Sequence, residues 1–390
     1  MEFCVGLANY MVNPEINNVM ELPNAENGTA MSAAAVESLP PIIQNIGGLT
    51  IDEVENDENR LPESPLTVDH FVVLKHIGGG AYGEVAAAKK TTGKDKGVIY
   101  AMKAMEKVKM GKNKEMVEHE FKILTTIDNP FFMTMKYSFQ SARHLIFIMP
   151  LAGGGDMLTK VTDITMKEEE AFFYLCEVVE GVGYLHANNI LHRDIKLENL
   201  LIANDGHLLI TDYGLSATNV DSDTSAEGTV GTRHTMAPEI HLKKTYGPAA
   251  DWWAVAISYC DMRSAKSLWP GDKSIDYSNN TVTKRPKLPT ELSSREREFV
   301  KKIFVAEPRK RLGYGKDGTA NVKAANFFKD VNWEDVSGKK LTPPFIPDED
   351  TISNFKCFTE ASKGKNKFPD FKHSTPLYWD DIDFTSPELL

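Results

Sequence analysis

The 390-residue sequence predicts an α+β fold, with strands in its first part and mainly helices in its second. Three observations support this prediction. Strand-like alternation of apolar residues begins at TVDHFVVLKHI, residues 67–77. A buried apolar run ends in the glycine hinge at residues 153–155. Beyond that hinge the apolar residues recur at helical spacing.

Length and composition set the class of protein. A hydrophobic share of 42% and a charged share of 25% are ordinary for globular domains, and the length predicts two or three compact units. Residues 1–66 hold eleven acids and one base, Arg60, so they carry most of the formal charge of −11. We expect this acidic segment to be disordered, and the near-neutral remainder to bind no nucleic acid.

The four cysteines, Cys4, Cys176, Cys260 and Cys357, form no C-x-x-C pair, which favours free thiols in a reducing compartment. No apolar run approaches the roughly 20 residues that a membrane-spanning helix needs. We therefore expect an intracellular, cytoplasmic and/or nuclear monomer without membrane association.

Each element before the hinge follows from a local pattern. The run EVAAAKKTTGKDKGVIYAMKAM predicts two strands around a polar turn. Val117, Phe121 and Leu124 in KNKEMVEHEFKILTTI lie at helical spacing. HLIFIMPLAGGGDM predicts a buried strand that ends at the hinge.

After the hinge, EEEAFFYLCEVVEGVGYLH predicts a helix with acids in its first turn, where they complement the helix dipole. The chain then reads as mostly helical to about residue 328. The following residues, 329–390, are rich in proline and aromatic residues and predict an extended strap.

A glycine-rich segment, IGGGAYGEV, places Gly78, Gly80 and Gly83 in a G-x-G-x-x-G pattern, with Val85 two residues later. Such a segment is often only a turn. A dinucleotide-binding fold would continue into a helix. Here strand-like sequence follows, so we predict a loop between two strands that folds over phosphates.

Lys103 lies within the apolar strand IYAMKAM, where an ammonium group needs an anionic partner. Glu120, on the predicted helix, is a candidate partner. The pair would hold a fixed cation beside nucleotide phosphates.

The segment ILHRDIKLENLLIANDGHLLITDYG gathers Asp194, Lys196, Asn199 and Asp212. Asp194 could accept a hydroxyl proton, and Lys196 could neutralise charge on a transferred group. Asn199 and Asp212 offer the oxygen ligands that Mg²⁺ prefers. Between them, residues 200–210 predict a hairpin that returns Asp212 to the side of Asn199.

Taken together, these motifs resemble the eukaryotic protein kinase superfamily. Residues 192–199 fit its H-R-D-x-K-x-x-N pattern, residues 212–214 fit D-F-G with Tyr213 for Phe, and residues 237–239 read Ala-Pro-Glu. The resemblance covers residues 67–390. DWWAVAI, EPRKRLGYG and TPPFIP are similar to the AGC group, in particular its ribosomal-protein and mitogen- or stress-activated kinases.

This resemblance implies a bilobal kinase fold. The kinase domain would span residues 67–328, with lobes at 67–152 and 153–328, between the acidic segment 1–66 and an AGC-type tail at 329–390. It also implies a Ser/Thr kinase that uses ATP and Mg²⁺.

The resemblance also assigns roles to residues. Asp194 would be the catalytic base, aided by Lys196, Lys103 and Glu120, with Asn199 and Asp212 as metal ligands. The implied nucleotide contacts are Ile77, Gly78, Gly79, Gly80, Ala81, Gly83, Val85, Ala101, Lys103, Met149, Pro150, Ala152 and Asp156. Glu239 and Arg311 would form a buried structural ion pair.

The implied partners are protein substrates and an upstream activating kinase. Asp156, Glu198 and Asp261 match positions that receive substrate arginines in related kinases, which predicts a preference for basic residues before the phosphoacceptor. Three solvated surface acids are the alternative.

Several positions depart from the family pattern. Gly228 stands where related kinases carry a phosphorylatable threonine, while Ser225 and Thr229 lie nearby. SYCDMRSAKSLWP is unusually polar. A kinase-like scaffold protein with weak or no activity therefore remains the alternative to an active enzyme.

Overall fold

The computed structural model describes residues 66–79, 83–110, 114–220, 226–264, 268–269, 276–348 and 375–376. The predicted disorder before residue 66 lies outside the described residues, as do Ser225 and most of the predicted tail.

An antiparallel sheet forms the first part of the described chain, as the alternation of apolar residues predicted. Its strands are β1 (Phe71–Gly79), β2 (Gly83–Lys90), β3 (Ile99–Glu106), β4 (Tyr137–Gln140), β5 (His144–Pro150) and β9 (Thr375–Pro376). In space they run β1-β2-β3-β5-β4-β9, so two residues of the tail extend the edge of the sheet. The tail and the first part of the chain therefore share one sheet.

Both faces of this sheet are covered. Successive residues of β5 alternate between two apolar clusters, since side chains along a strand point to opposite faces. Leu145 and Phe147 belong to the main core, which also includes α2 (Lys114–Thr126). Ile146 and Ile148 pack into a smaller cluster on the opposite face. The predicted helix is thus fixed against the sheet by its apolar stripe.

Helices dominate the second part, as predicted. Besides α2 and the short α1 (Lys107–Met110), the described helices are α3 (Met157–Asp163), α4 (Glu168–Ala187), α5 (Pro238–His241), α6 (Ala249–Arg263), α7 (Tyr277–Thr283), α8 (Ser294–Ile303), α9 (Gly318–Lys323) and α10 (Trp333–Ser337). A small antiparallel sheet, β6 (Gly155–Asp156), β7 (Leu200–Ile202) and β8 (Leu208–Ile210), lies among them.

Helix α6 is buried along nearly its whole length and packs against α4. Trp252 and Trp253 are among the largest fully buried side chains of the described residues. A helix that is apolar all round belongs in the interior. The neighbouring elements therefore pack around α6 as a buried central helix.

The unusually polar end of α6 packs without leaving its charge unpaired. The buried Arg263 donates from Nε to Glu296 Oε1 at 2.6 Å and from Nη2 to the carbonyl oxygen of Glu291 at 3.0 Å. The hydroxyl of Tyr259 donates to the same carboxylate at 2.7 Å. Since buried charges are tolerated when they are paired and hydrogen-bonded, the polar sequence is compatible with this core.

The start of the tail departs from the prediction of an extended strap, because residues Trp333–Ser337 form α10. Asn332 accepts a hydrogen bond from the backbone N–H of Glu334 at 3.1 Å, which caps the helix, and Val336 is buried in the core. Residues 341–348 then continue without helix or strand. A Cβ on Gly206 would lie 2.3 Å from the carbonyl oxygen of Phe345, so the tail packs closely on the turn between β7 and β8.

The predicted pair of Glu239 and Arg311 is confirmed. Its two parallel hydrogen bonds measure 2.7 and 2.8 Å, and the Arg311 side chain is fully buried. Arg311 also donates to the carbonyl oxygens of Ala249 and Val305 and lies over the ring of Trp253. The described contacts of the Arg311 guanidinium group are therefore all with buried or backbone atoms of the protein itself.

We expect Glu239→Ala to lower the free energy of unfolding by about 3–5 kcal/mol, because it leaves the buried Arg311 without its carboxylate. Urea denaturation would measure the change. Glu298→Ala is the matched control, since it removes an exposed i,i+4 pair with Lys302 and should cost less than about 1 kcal/mol. Equal losses in the two variants would contradict this account.

Candidate active site

The glycine-rich segment lies between two paired strands, as predicted. Gly78 and Gly79 end β1, Gly83 begins β2, and Val85 pairs with Gly78 across the ladder. Gly80 and Ala81 lie outside the described residues. A strand therefore follows the glycines, which excludes the dinucleotide-binding alternative with its helix at this point.

Lys103 and Glu120 are in contact. The Nζ atom of Lys103 donates to Oε1 of Glu120 at 2.6 Å, which ties β3 to α2. Burial by itself would lower the pKa of Lys103, but the charges of Glu120 and Asp212 raise it above its ordinary value. The ammonium group therefore stays charged, with carboxylates from two different segments around it.

The predicted adenine-contacting residues lie along β3 and β5 and just after them. Ala101 pairs with Met149 in the antiparallel ladder, Pro150 ends β5, and Ala152 is buried two residues later. Ile77 lies on β1. Ala101, Met149 and Pro150 thus lie at the end of the paired central strands β3 and β5 that leads into the hinge.

Asp156, predicted to contact a ribose, ends β6 and directly precedes α3. Its carboxylate accepts hydrogen bonds from the backbone N–H and the hydroxyl of Thr159, each at 2.8 Å. This is an N-cap, which satisfies a backbone donor at the start of the helix. The cap holds the carboxylate in place beside the hinge.

Asp194 is the centre of the described polar network. Its carboxylate accepts hydrogen bonds from Lys196 Nζ at 2.7 Å, from the hydroxyl of Thr232 at 2.7 Å and from Asn199 Nδ2 at 3.1 Å. Burial acts to raise the pKa of Asp194, but the hydrogen bonds from Lys196 and Thr232 hold it below its usual range. The group is therefore a carboxylate at neutral pH.

The hairpin brings Asn199 and Asp212 together, as predicted. Strands β7 and β8 pair antiparallel, and the N–H of Thr211, next to Asp212, donates to the carbonyl oxygen of Asn199 at 3.0 Å. Both side-chain hydrogen bonds of Asn199 use Nδ2 as the donor to Asp194. These bonds hold the amide nitrogen and so fix the orientation of the whole amide group. The amide oxygen is the kind of ligand that a hard cation prefers.

Asp251 is a residue that sequence reasoning missed. Its buried carboxylate accepts hydrogen bonds from the backbone N–H groups of His192 and Arg193, at 3.0 and 2.9 Å, and contacts His186 at 2.9 Å. Arg193 has a φ of 66°, a left-handed conformation that costs energy in a non-glycine residue. Asp251 therefore anchors the loop of residues 192–199, called the catalytic loop below, to α6, with Arg193 in a strained conformation.

Thr232 is a second residue of the site that the sequence reasoning missed. Its hydroxyl donates to Asp194 and accepts from Lys196 at 3.0 Å. Gly231, at φ 109°, allows this approach, because a Cβ there would lie 2.3 Å from the carbonyl oxygen of Arg193. The sequence signal that could have identified Thr232 is a polar residue directly after a glycine, close to Ala-Pro-Glu.

Of the three acids predicted to receive arginines, Glu198 and Asp261 lie close enough to interact electrostatically. Burial and the charge of Glu198 raise the pKa of Asp261 to about 8. Asp261 is also in contact, at 2.7 Å, with His234 of residues 216–239, the segment that ends in Ala-Pro-Glu and is called the activation segment below. Asp261 is therefore not a separate solvated acid, whereas Glu198 is exposed, and a preference for basic substrates stays a prediction.

Comparison with known proteins agrees with this geometry. The protein kinase domain family matches residues 71–328. The chain belongs to the protein kinase family. The match contains the glycine-rich segment, the Lys103–Glu120 pair, the catalytic loop and the hairpin, so one family accounts for the assembled site.

Curated proteins that are similar to this chain are also named as kinases. It is 35% identical to Serine/threonine-protein kinase AtPK2/AtPK19 of Arabidopsis thaliana, over 82% of this chain and 71% of the relative. It is 37% identical to AtPK1/AtPK6 of the same plant, over 76% and 64%. Ribosomal protein S6 kinase alpha-6 of Danio rerio is 30% identical, over 82% and 44%. The kinase thus spans less than two thirds of two of these relatives.

Among the described helices of the kinase, none is long and apolar enough to cross a lipid bilayer.

We expect Thr232→Ala to lower kcat for phosphoryl transfer by roughly ten- to a hundredfold, since it removes a hydrogen bond to the charged Asp194. Steady-state kinetics with a peptide substrate would measure this. Thr232→Ser keeps the hydroxyl group and should retain most of the activity. An alanine variant with the kcat of the unmodified kinase would show that the contact does not position the carboxylate.

Proposed function

We propose that the kinase is an active Ser/Thr protein kinase that transfers the γ-phosphoryl group of ATP to protein hydroxyl groups in a Mg²⁺-dependent reaction. The observation that carries this proposal is the ionised, buried carboxylate of Asp194, held by Lys196, Thr232 and Asn199. A scaffold would not need a strained loop built around such a carboxylate.

In this proposal Asp194 orients the substrate hydroxyl and accepts its proton. The hydrogen bonds on both carboxylate oxygens fix its direction, and positioning of this kind supplies much of the catalysis in phosphoryl transfer. Lys196 adds a positive charge beside the carboxylate, where it would neutralise charge on the transferred group.

Nucleotide binding is assigned to the sheet and the hinge. Lys103, held by Glu120, would bind the α- and β-phosphates, and the segment between β1 and β2 would cover them. Met149, Pro150 and Ala152 would contact the adenine. The remaining proposed contacts are Ile77, Gly78, Gly79, Gly80, Ala81, Gly83, Val85, Ala101 and Asp156.

Asn199 and Asp212 fit a Mg²⁺ ion, because both present hard oxygen atoms on one hairpin. When bound, the ion would neutralise phosphate charge. The proximity of Asp212 to Lys103, seen in its effect on the Lys103 pKa, would place the ion beside the proposed phosphate site.

The proposed domain of the kinase spans residues 67–328, between an acidic segment and an AGC-type tail. Its substrates would carry basic residues before the phosphoacceptor, bound by Glu198 and Asp261. Thr229 is exposed, which suits modification by an upstream kinase. The buried free thiols of Cys176 and Cys260 fit a reducing compartment, the cytosol or the nucleus.

Labelled ATP and a peptide library test the enzyme directly. We expect the unmodified protein to transfer phosphate to serine or threonine and Asp194→Asn to lose at least a thousandfold in kcat, because the proton acceptor is gone. Asp330→Asn, an exposed acid substitution, is the control and should retain full activity. No transfer by the unmodified protein, even after treatment with an activating kinase, would favour the scaffold alternative.

A positional scan of the same library tests substrate preference. We expect phosphorylation to increase when arginine precedes the phosphoacceptor, because the exposed Glu198 lies between Asp194 and Asn199 in the catalytic loop. Glu198→Gln should reduce that preference. A profile that ignores upstream arginine would contradict the basic motif while leaving the phosphotransfer activity intact.

A further inference from the structure

His234, from the activation segment, is in contact with one of the two acids that the proposed substrate motif would use. Its Nε2 atom lies 2.7 Å from Oδ2 of Asp261, which comes from α6. On the other side, its ring is stacked on Tyr277 of α7, with 5.9 Å between ring centroids and an interplanar angle of 14°. The imidazole is thus held between two helices.

Exposure shows which of the two groups a ligand would meet first. The side chain of His234 is 38% exposed, whereas that of Asp261 is 20% exposed. Glu198, the other acid, lies exposed in the catalytic loop. A cationic side chain arriving from solvent would therefore reach Glu198 freely but would have to compete with His234 for Asp261.

We propose that His234 is a specificity-determining residue, whose imidazole occupies the Asp261 carboxylate until a basic side chain of the protein substrate displaces it. This inference rests on the proposed kinase function and deepens it. A guanidinium group makes two parallel hydrogen bonds to a carboxylate, whereas the imidazole makes one. Arginine can therefore displace His234, but the exchange weakens binding relative to a vacant carboxylate.

The contact also links substrate binding to pH. Among the described residues, the titratable groups that face Asp261 are Glu198 from the catalytic loop and His234 from the activation segment. Burial, then Glu198, raises the pKa of Asp261 to about 8, so the group is largely protonated below that pH. Burial lowers the pKa of His234, against the opposing charge of Glu198. Raising the pH through about 8 therefore ionises Asp261, and the arginine then competes with His234 for its carboxylate.

Two substitutions of His234 with opposite expected effects form the test. Steady-state kinetics would use the full chain and two peptides that differ by one arginine-to-alanine change before the phosphoacceptor. His234→Ala leaves Asp261 without its competitor, so KM for the arginine peptide should fall by roughly tenfold. His234→Arg places a permanent cation on Asp261, so that KM should rise. In both variants, kcat and the KM for the alanine peptide should stay near those of the unmodified kinase.

Asp261→Asn removes the carboxylate and is the background in which His234→Ala is tested again. In that variant the discrimination between the two peptides should decrease, and adding His234→Ala should have no further effect. For the unmodified kinase, KM for the arginine peptide should fall as the pH rises through about 8, and Asp261→Asn should abolish that dependence. The alanine peptide reports pH effects that do not involve the motif.

The outcomes distinguish a specificity role of His234 from a purely structural one. If His234 only holds the activation segment in place, both His234 variants would lower kcat for both peptides and neither would change the discrimination, which overturns the proposal. Unchanged KM values in both variants would overturn it equally. Absence of transfer to either peptide by the unmodified, activated chain would instead contradict the proposed kinase function.

Discussion

The hydrogen bonds from the catalytic loop to the buried carboxylate of Asp251 are the constraint on which the site depends. Asp251 lies in α6, which is buried along nearly its whole length in the main core, so a buried helix fixes the position of the loop. The strained conformation of Arg193 persists because two of its neighbours in space, Asp251 and the carbonyl oxygen of Leu215, fix its backbone and side chain. Asp194, the next residue, therefore points in one direction.

Most buried charges of the described residues lie in ion pairs, and their exposure separates two kinds of pair. Arg311 is fully buried against Glu239 and only holds elements together. The side chains of Lys103 and Lys196 keep 25% and 21% of their exposure, although each contacts a nearly buried carboxylate. A cation that is held by protein on one side and open on the other is suited to a charged ligand. The same chemistry thus stabilises the fold in one place and prepares a site in another.

The tail is tied to the site through the hairpin. Residues near Phe345 pack on Gly206, the turn of the hairpin that carries Asn199 and Asp212 at its open end, and Lys339 pairs with Asp205 of the same turn at 3.2 Å. Glu177 of α4 also accepts from the N–H of Leu208 at 2.8 Å. The candidate metal ligands therefore sit on a segment restrained from both the helical core and the tail.

The sequence by itself determined strands β1, β2, β3 and β5, the main helices, the hairpin and the order of the motifs, because each depends on neighbouring residues and on periods of two or 3.6. It also predicted the Lys103–Glu120 contact, since a buried charge demands an opposite one, while the Glu239–Arg311 pair followed from the resemblance to protein kinases. The short strands β4, β6 and β9 were not predicted. It did not predict the roles of Asp251, Thr232 or His234, or the helix in the tail. Asp251 and Thr232 act on residues 59 and 38 positions away, and only the folded chain decides which distant donor reaches which buried acceptor.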